Sequence, residues 1–135
     1  MSESDSSTDE RSIAREAALL VLYESSTKGA DPRLVLDAAI VPHDPLVWLL
    51  VEGVEDHRLD LDRSIEKFTT GWSLERMPIL DLLVLRLATY ELVHRPDVPT
   101  AVVIDEAVEM AKRFSTDDSG RFVNGVLASI ARDVR

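Results

Sequence analysis

Apolar residues recur along this chain at helical spacing, and no stretch shows the sustained alternation that marks a strand. Ile13, Ala17, Leu20 and Val21 fall on one face of a helix predicted to open at Ser7, where Glu10 completes a capping box, and to run to about Ser26 before Gly29 ends it. Asp31-Pro32 and Asp44-Pro45 repeat one device. The aspartate caps free N–H groups, and the proline takes the first helical position, where its missing N–H costs nothing. The first of these helices is short and ends near Val41, because Pro42 disfavours helical geometry before it. The second begins with Leu46, Val47, Leu49, Leu50 and Val54 and continues to about Phe68, with a break near His57 to Asp60.

Thr70-Gly71 marks a turn, and Ser73 is predicted to cap a short stretch over 74–77. Pro78 then opens a helix over about 78–94 that is apolar nearly all round, which belongs at the centre of a bundle. Pro96 and Pro99 bracket a short connection. Val103, Ala107, Met110 and Phe114 follow on one face of a helix over about 100–114, with Asp105, Glu106, Glu109, Lys112 and Arg113 on its solvent side. The last helix begins at Asp118 or Ser119, with Val123, Val126, Leu127, Ile130 and Val134 as its apolar stripe. The pattern predicts an all-α protein: a disordered acidic tail over residues 1–8, then a single domain over 9–135 without internal repeats.

Composition agrees with a globular domain, since 45% of the 135 residues are apolar and 30% charged. Cysteine is absent, which excludes disulfides and thiolate metal sites and fits a reducing cytoplasm. The first ten residues carry serines and acids where a signal peptide needs a basic start and an apolar run. The longest apolar stretch, over 78–93, is broken by Asp81, Arg86 and Glu91, so no segment approaches the roughly 20 apolar residues of a membrane helix. A soluble cytoplasmic protein is expected. The net charge of −10 resides mostly in the first 75 residues; residues 76–135 hold eight basic against nine acidic side chains. An acidic chain repels phosphate backbones at long range, so contact with nucleic acid requires a local patch.

Candidate chemistry is sparse. Asp105, Glu106 and Glu109 point in diverging directions on a helix and make a solvated face rather than a metal or acid–base site. His43, His57 and His94 lie in separate segments without the spacing of a two-histidine metal helix, and His57 with Asp60 reads as a wet helix end. None of the five glycines belongs to a nucleophile elbow, a phosphate loop or a dinucleotide fingerprint, so neither catalysis nor a cofactor is expected. Gly125 is more informative, because glycine inside a helix costs about 1 kcal/mol relative to alanine. It shares a face with Arg121, Ala128 and Arg132. Two readings stand: close approach by a ligand or partner, or tight packing on a neighbouring helix. Asn124 beside that face offers both donor and acceptor, and Asp117 and Asp118 favour the helix N-terminus. Arg11 and Arg15, four apart, can hold a phosphate and Tyr23 can stack a base; snorkelling arginines and a core tyrosine explain them as well.

Taken together, several motifs resemble the NusB family of bacterial transcription antitermination factors. They are Ala14-Arg15-Glu16 with Leu22-Tyr23, Gly71-Trp72 with Arg76, the run from Asp81 to Leu92, and Asp97-Val98-Pro99. Asp105-Glu106-Ala107-Val108-Glu109-Met110-Ala111-Lys112 follows, then Asp118-Ser119 with Phe122-Val123-Asn124-Gly125-Val126-Leu127. The resemblance is nearly continuous over 71–127, whereas residues 27–70 match only in helical pattern. It implies about seven helices in two packed sub-bundles, here about 9–70 and 71–135. It also implies binding of boxA RNA from ribosomal RNA operons together with the ribosomal protein NusE, within the antitermination complex of RNA polymerase. Carried over by position, the implied RNA-binding residues are Arg11, Arg15, Tyr23, Asp118, Phe122 and Asn124, to which Arg121 on the glycine face is added. Tyr90, Glu91, Asp105, Glu106 and Glu109 form the implied NusE surface. Some members of the family pair as homodimers. One departure bears on function: the usual basic run before Ala-Arg-Glu is replaced by Asp9-Glu10-Arg11-Ser12-Ile13, which removes phosphate contacts. A NusB-like paralogue that serves as a protein-interaction module is the alternative reading.

Overall fold

The computed structural model describes residues 3–135, with side chains from Glu10 onward. Of the expected tail over 1–8, Met1 and Ser2 lie outside the described residues, and the remainder is described only as backbone, which is helical. Seven α-helices and no strand occur among the described residues: α1 Glu3–Lys28, α2 Pro32–Asp37, α3 Pro45–Asp56, α4 Arg58–Lys67, α5 Ile79–His94, α6 Thr100–Phe114 and α7 Asp117–Val134. A single 3-10 turn, Leu74–Arg76, precedes α5. The chain divides into two compact units, Met1–Glu55 and Asp56–Arg135. The division falls ahead of α4 rather than near residue 70, because α4 packs on α5 and α7.

In the first unit α1 already runs through Ser7, so that serine is not the N-cap the capping-box spacing suggested. The buried face is also different. Ala14, Ala18, Leu19, Val21 and Leu22 are buried, whereas Ile13 and Leu20 are exposed, so the expected stripe is rotated by about one residue. A helix apolar on more than one side leaves the choice of face to packing. Gly29 closes α1 with φ 64°, a left-handed conformation that glycine adopts without strain. Both Asp-Pro caps form: Asp31 Oδ1 accepts from the Arg33 N–H at 2.9 Å and Asp44 Oδ1 from the Leu46 N–H at 2.8 Å. Helix α2 stops at Asp37 instead of reaching Val41. Ile40 beyond it is 99% exposed, and a turn without buried apolar contacts gains nothing that would prolong so short a helix. Arg33 Nε donates to Glu52 at 3.3 Å and so ties α2 to α3.

In the second unit α5 is the central element, packed against α4, α6 and α7 and buried at every position over 81–92 except Arg86. Arg86 is itself committed to Asp62 on α4 through a two-pronged pair at 2.7 and 2.9 Å. The predicted stripes of α6 and α7 face inward over Val103, Ala107 and Met110 and over Val123, Val126, Leu127 and Ile130, whereas Phe114 is half-buried and Val134, in the last turn, is exposed. The axes approach closely where Gly120 faces Lys112: a methyl group on Gly120 would lie 2.7 Å from Lys112 Cγ. Among the described residues, no helix is long and apolar enough to cross a membrane.

Candidate nucleic-acid interface

The start of α7 is built by a small polar network. Thr116 is the N-cap, its Oγ1 accepting from the Ser119 N–H at 3.0 Å; the helix therefore begins at Asp117, a residue earlier than expected, with Asp117 and Asp118 in its first turn. Ser119 is buried, and its Oγ donates to Asp81 Oδ2 on α5 at 3.0 Å while lying 3.0 Å from the hydroxyls of Thr116 and Ser115. Asp81 is only 3% exposed, and its other oxygen, Oδ1, has no hydrogen-bond partner among the described residues.

Beside this network lies a cleft of about 240 Å³ lined by Trp72, Met77, Pro78, Asp81, Thr116, Asp118, Ser119 and Phe122. Gly71, at φ 89°, makes the turn that delivers Trp72 to its edge. The Trp72 and Phe122 rings stand 6.1 Å apart at 46°, a tilted aromatic corner, with Trp72 55% exposed. Ser73 does not cap the following 3-10 turn through its side chain, contrary to the sequence reading. Asp118 pairs with Arg121 at the surface, and Asn124 is exposed one turn on. Gly125 is exposed, and a methyl group placed on it would have nothing within 4 Å, so of its two readings packing on a neighbouring helix is removed. The packing demand falls on Gly120 instead.

In the first unit the expected site residues part company. Arg11 is exposed and Tyr23 is on the surface, not in the core. Arg15, by contrast, is 2% exposed. It shares a helical face with Leu19 and Leu22, which carries its guanidinium inward and rules out the snorkelling reading. The implied partner surface is similarly split. Asp105 and Glu109 are exposed and Glu106 is half-buried, but Tyr90 and Glu91 are buried, because α5 is enclosed by three helices. Glu91 is held internally by Arg95 at 3.5 Å.

The fold also joins groups that are distant in sequence. His57 ahead of α4 stacks on His94 at the end of α5, ring centroids 4.0 Å apart, and Tyr90 stacks on His94 at 5.1 Å. The His94 pKa is lowered from 6.5 by desolvation and by the charge of His57, against an opposing pull from Asp60. Sequence reasoning kept these histidines apart because no local spacing links them. It also passed over Asp81, Trp72 and Thr116 as site residues. The available signal was Asp81 itself, an acid within an otherwise apolar run, since buried carboxylates are rare unless paired.

Comparison with known proteins gives consistent matches. The profile of the NusB family matches residues 12–132. The transcription antitermination protein NusB of Acidothermus cellulolyticus is 48% identical over 124 residues, covering 89% of this chain and 86% of its own. A T. maritima NusB structure superposes with a TM-score of 0.83 at 34% identity, covering 91% of each chain. A crystal structure of antitermination factors NusB and NusE in complex with dsRNA superposes with a TM-score of 0.80 at 27% identity, covering 93% of this chain and 98% of that one.

Proposed function

Because the chain belongs to the NusB family, we propose that it is a transcription antitermination factor. It binds boxA RNA of ribosomal RNA transcripts together with NusE and supports processive transcription by RNA polymerase in the cytoplasm. The observation that carries this reading is the first half of α7, which holds Asp118 and Phe122 at the cleft beside the Trp72 ring and exposes Arg121 and Asn124 on the same helix. Arg121 supplies a phosphate contact, Asn124 a donor and acceptor for a base edge, and the rings a stacking platform. The complex of a relative with NusE and double-stranded RNA supports the assignment.

Arg11 and Tyr23 add a second stretch of RNA surface, while Arg15 contributes by holding α1 in place. NusE docks on the acidic side of α6, through Asp105, Glu106 and Glu109, with Tyr90 and Glu91 shaping α5 against which α6 packs. The protein acts by binding, without catalysis. A filter-binding titration at low salt with boxA RNA, with and without NusE, tests this. Tighter binding to boxA than to a scrambled RNA is expected, and equal binding in both conditions overturns the RNA role. The burial of Arg15 and the acidic residues around Arg11 favour a second reading, a protein-interaction module that captures NusE without RNA. Capture of NusE with no boxA preference identifies it, and sedimentation of the free protein reads whether it self-associates as a homodimer.

A further inference from the structure

Asp81 presents an unusual combination. One carboxylate oxygen is oriented by Ser119, the other is buried without a donor, and the residue lines a cleft edged by two aromatic rings. Buried polar atoms are almost always paired, and the exceptions call for a specific cause. Here the missing component is a hydrogen-bond donor, and the cleft that Asp81 lines is the space beside it. At about 240 Å³ the cleft falls below the roughly 300–1,000 Å³ of cofactor-sized pockets, so it has room for one ring system rather than a whole nucleotide. A phosphate is excluded by charge, since the Asp81 carboxylate lines the cleft and no cationic side chain does. Trp72, more than half exposed, offers the open aromatic face on which a planar group stacks.

We propose that this cleft is a base pocket within the RNA surface, in which Trp72 stacks one unpaired nucleobase and Asp81 Oδ1 accepts a hydrogen bond from that base's exocyclic amine. The inference rests on the RNA-binding reading above and adds a specificity determinant to it. Asp81 repels the carbonyl oxygens that uracil presents and favours amine-bearing bases; acceptance from cytosine N4 is a known carboxylate pairing. A guanidinium from a protein partner would meet the same carboxylate and ring. The base is favoured because the second cleft carboxylate, Asp118, is already paired with Arg121, and because the two rings, Trp72 and Phe122, suit stacking.

The test uses the full chain and single-stranded boxA RNA in which each amine-bearing base is replaced in turn. Uracil replaces cytosine, purine riboside replaces adenine and inosine replaces guanine. Wild-type protein is expected to lose about tenfold in affinity at one position, the scale of one base-edge contact. Asp81→Asn, which offers both a donor and an acceptor, reduces that preference to about twofold or less while leaving the other positions unchanged. Trp72→Ala, at an exposed site where folding is preserved, weakens all of these RNAs about tenfold and leaves the preference in place. In a Trp48→Phe background Trp72 is the sole tryptophan, and its fluorescence is quenched by the RNA.

Failure of wild-type protein to prefer boxA over scrambled RNA overturns the functional reading and this proposal together. Normal boxA binding with base preferences unchanged in Asp81→Asn overturns this proposal alone. Weakened NusE binding in Asp81→Asn, with base preferences intact, assigns the pocket to a partner arginine and also overturns it. Circular dichroism separates these outcomes from misfolding, and if Asp81→Asn is misfolded, the absence of Trp72 quenching or of any position sensitive to amine loss in the wild type overturns the proposal.

Discussion

Arg135 shows how much one side chain can organise. Its guanidinium donates to the carbonyls of Leu92, Val98, Glu91 and Arg95 and to Thr100 Oγ1, at 3.0, 2.7, 3.3, 3.0 and 3.0 Å respectively. It therefore binds carbonyls at the end of α5 and in the turn that follows, and fixes the connection to α6. Arg135→Ala is expected to lower unfolding free energy by about 1–3 kcal/mol in a urea titration, the range for a charged donor to several acceptors; a change below about 0.5 kcal/mol would show the clamp to be incidental. The two arginines of α1 separate in the same way. Arg15→Ala removes a buried cation and is expected to destabilise strongly, by about 3–5 kcal/mol, so any lost RNA binding will follow lost folding. Arg11→Ala leaves stability unchanged and reduces the slope of log affinity against log salt by about 0.7, one phosphate on a single strand. An unchanged slope would remove Arg11 from the interface.

At the level of elements, α7 combines a conventional cap with an unconventional face. Thr116→Ala deletes the cap and is expected to cost about 1 kcal/mol, read by thermal unfolding. Gly125→Ala should do the reverse, adding about 1 kcal/mol of helix stability because no neighbour meets the new methyl group. If RNA or NusE approaches α7 closely there, the same variant binds its partner more weakly although it melts higher. A rise in stability with binding unaltered would leave Gly125 without a recognition role. Several caps and turns of this chain were legible from short-range rules, as at Asp31-Pro32, Asp44-Pro45 and Gly29, whereas the same rules misplaced caps at Ser7 and Ser73. Element ends were less legible where tertiary contacts decide, as at α2, whose Ile40 and Val41 find nothing to pack on.

Across the second unit, the stack of His57 on His94 couples the start of α4 to the end of α5. Because the folded pKa of His94 lies below its ordinary 6.5, the unfolded chain binds more protons in the interval between the two values. This contribution to stability is present above pH 6.5 and is lost as the pH falls toward the lowered value. The protein should thus unfold at lower urea concentration at pH 5 than at pH 7, and His94→Gln should flatten that difference. An equal pH dependence in the variant would assign it to other groups.

Periodicity and local motifs were enough to establish the all-helical class, the central position of α5, most of the inward stripes of α6 and α7 and the stretch of α7 that carries Asp118, Phe122 and Asn124. Each follows from periodicity, from local cap chemistry or from a motif within one helix. Packing between helices was needed to settle which face of α1 is buried, and with it that Arg15 is buried while Arg11 is exposed. It also decided that Tyr90 and Glu91 are enclosed, that His57 meets His94, and that Asp81 and Trp72 meet Ser119 and Phe122 around one cleft. These depend on helices joined by long intervals of sequence, and a helical wheel gives the spacing of side chains around one axis without saying which neighbour covers them.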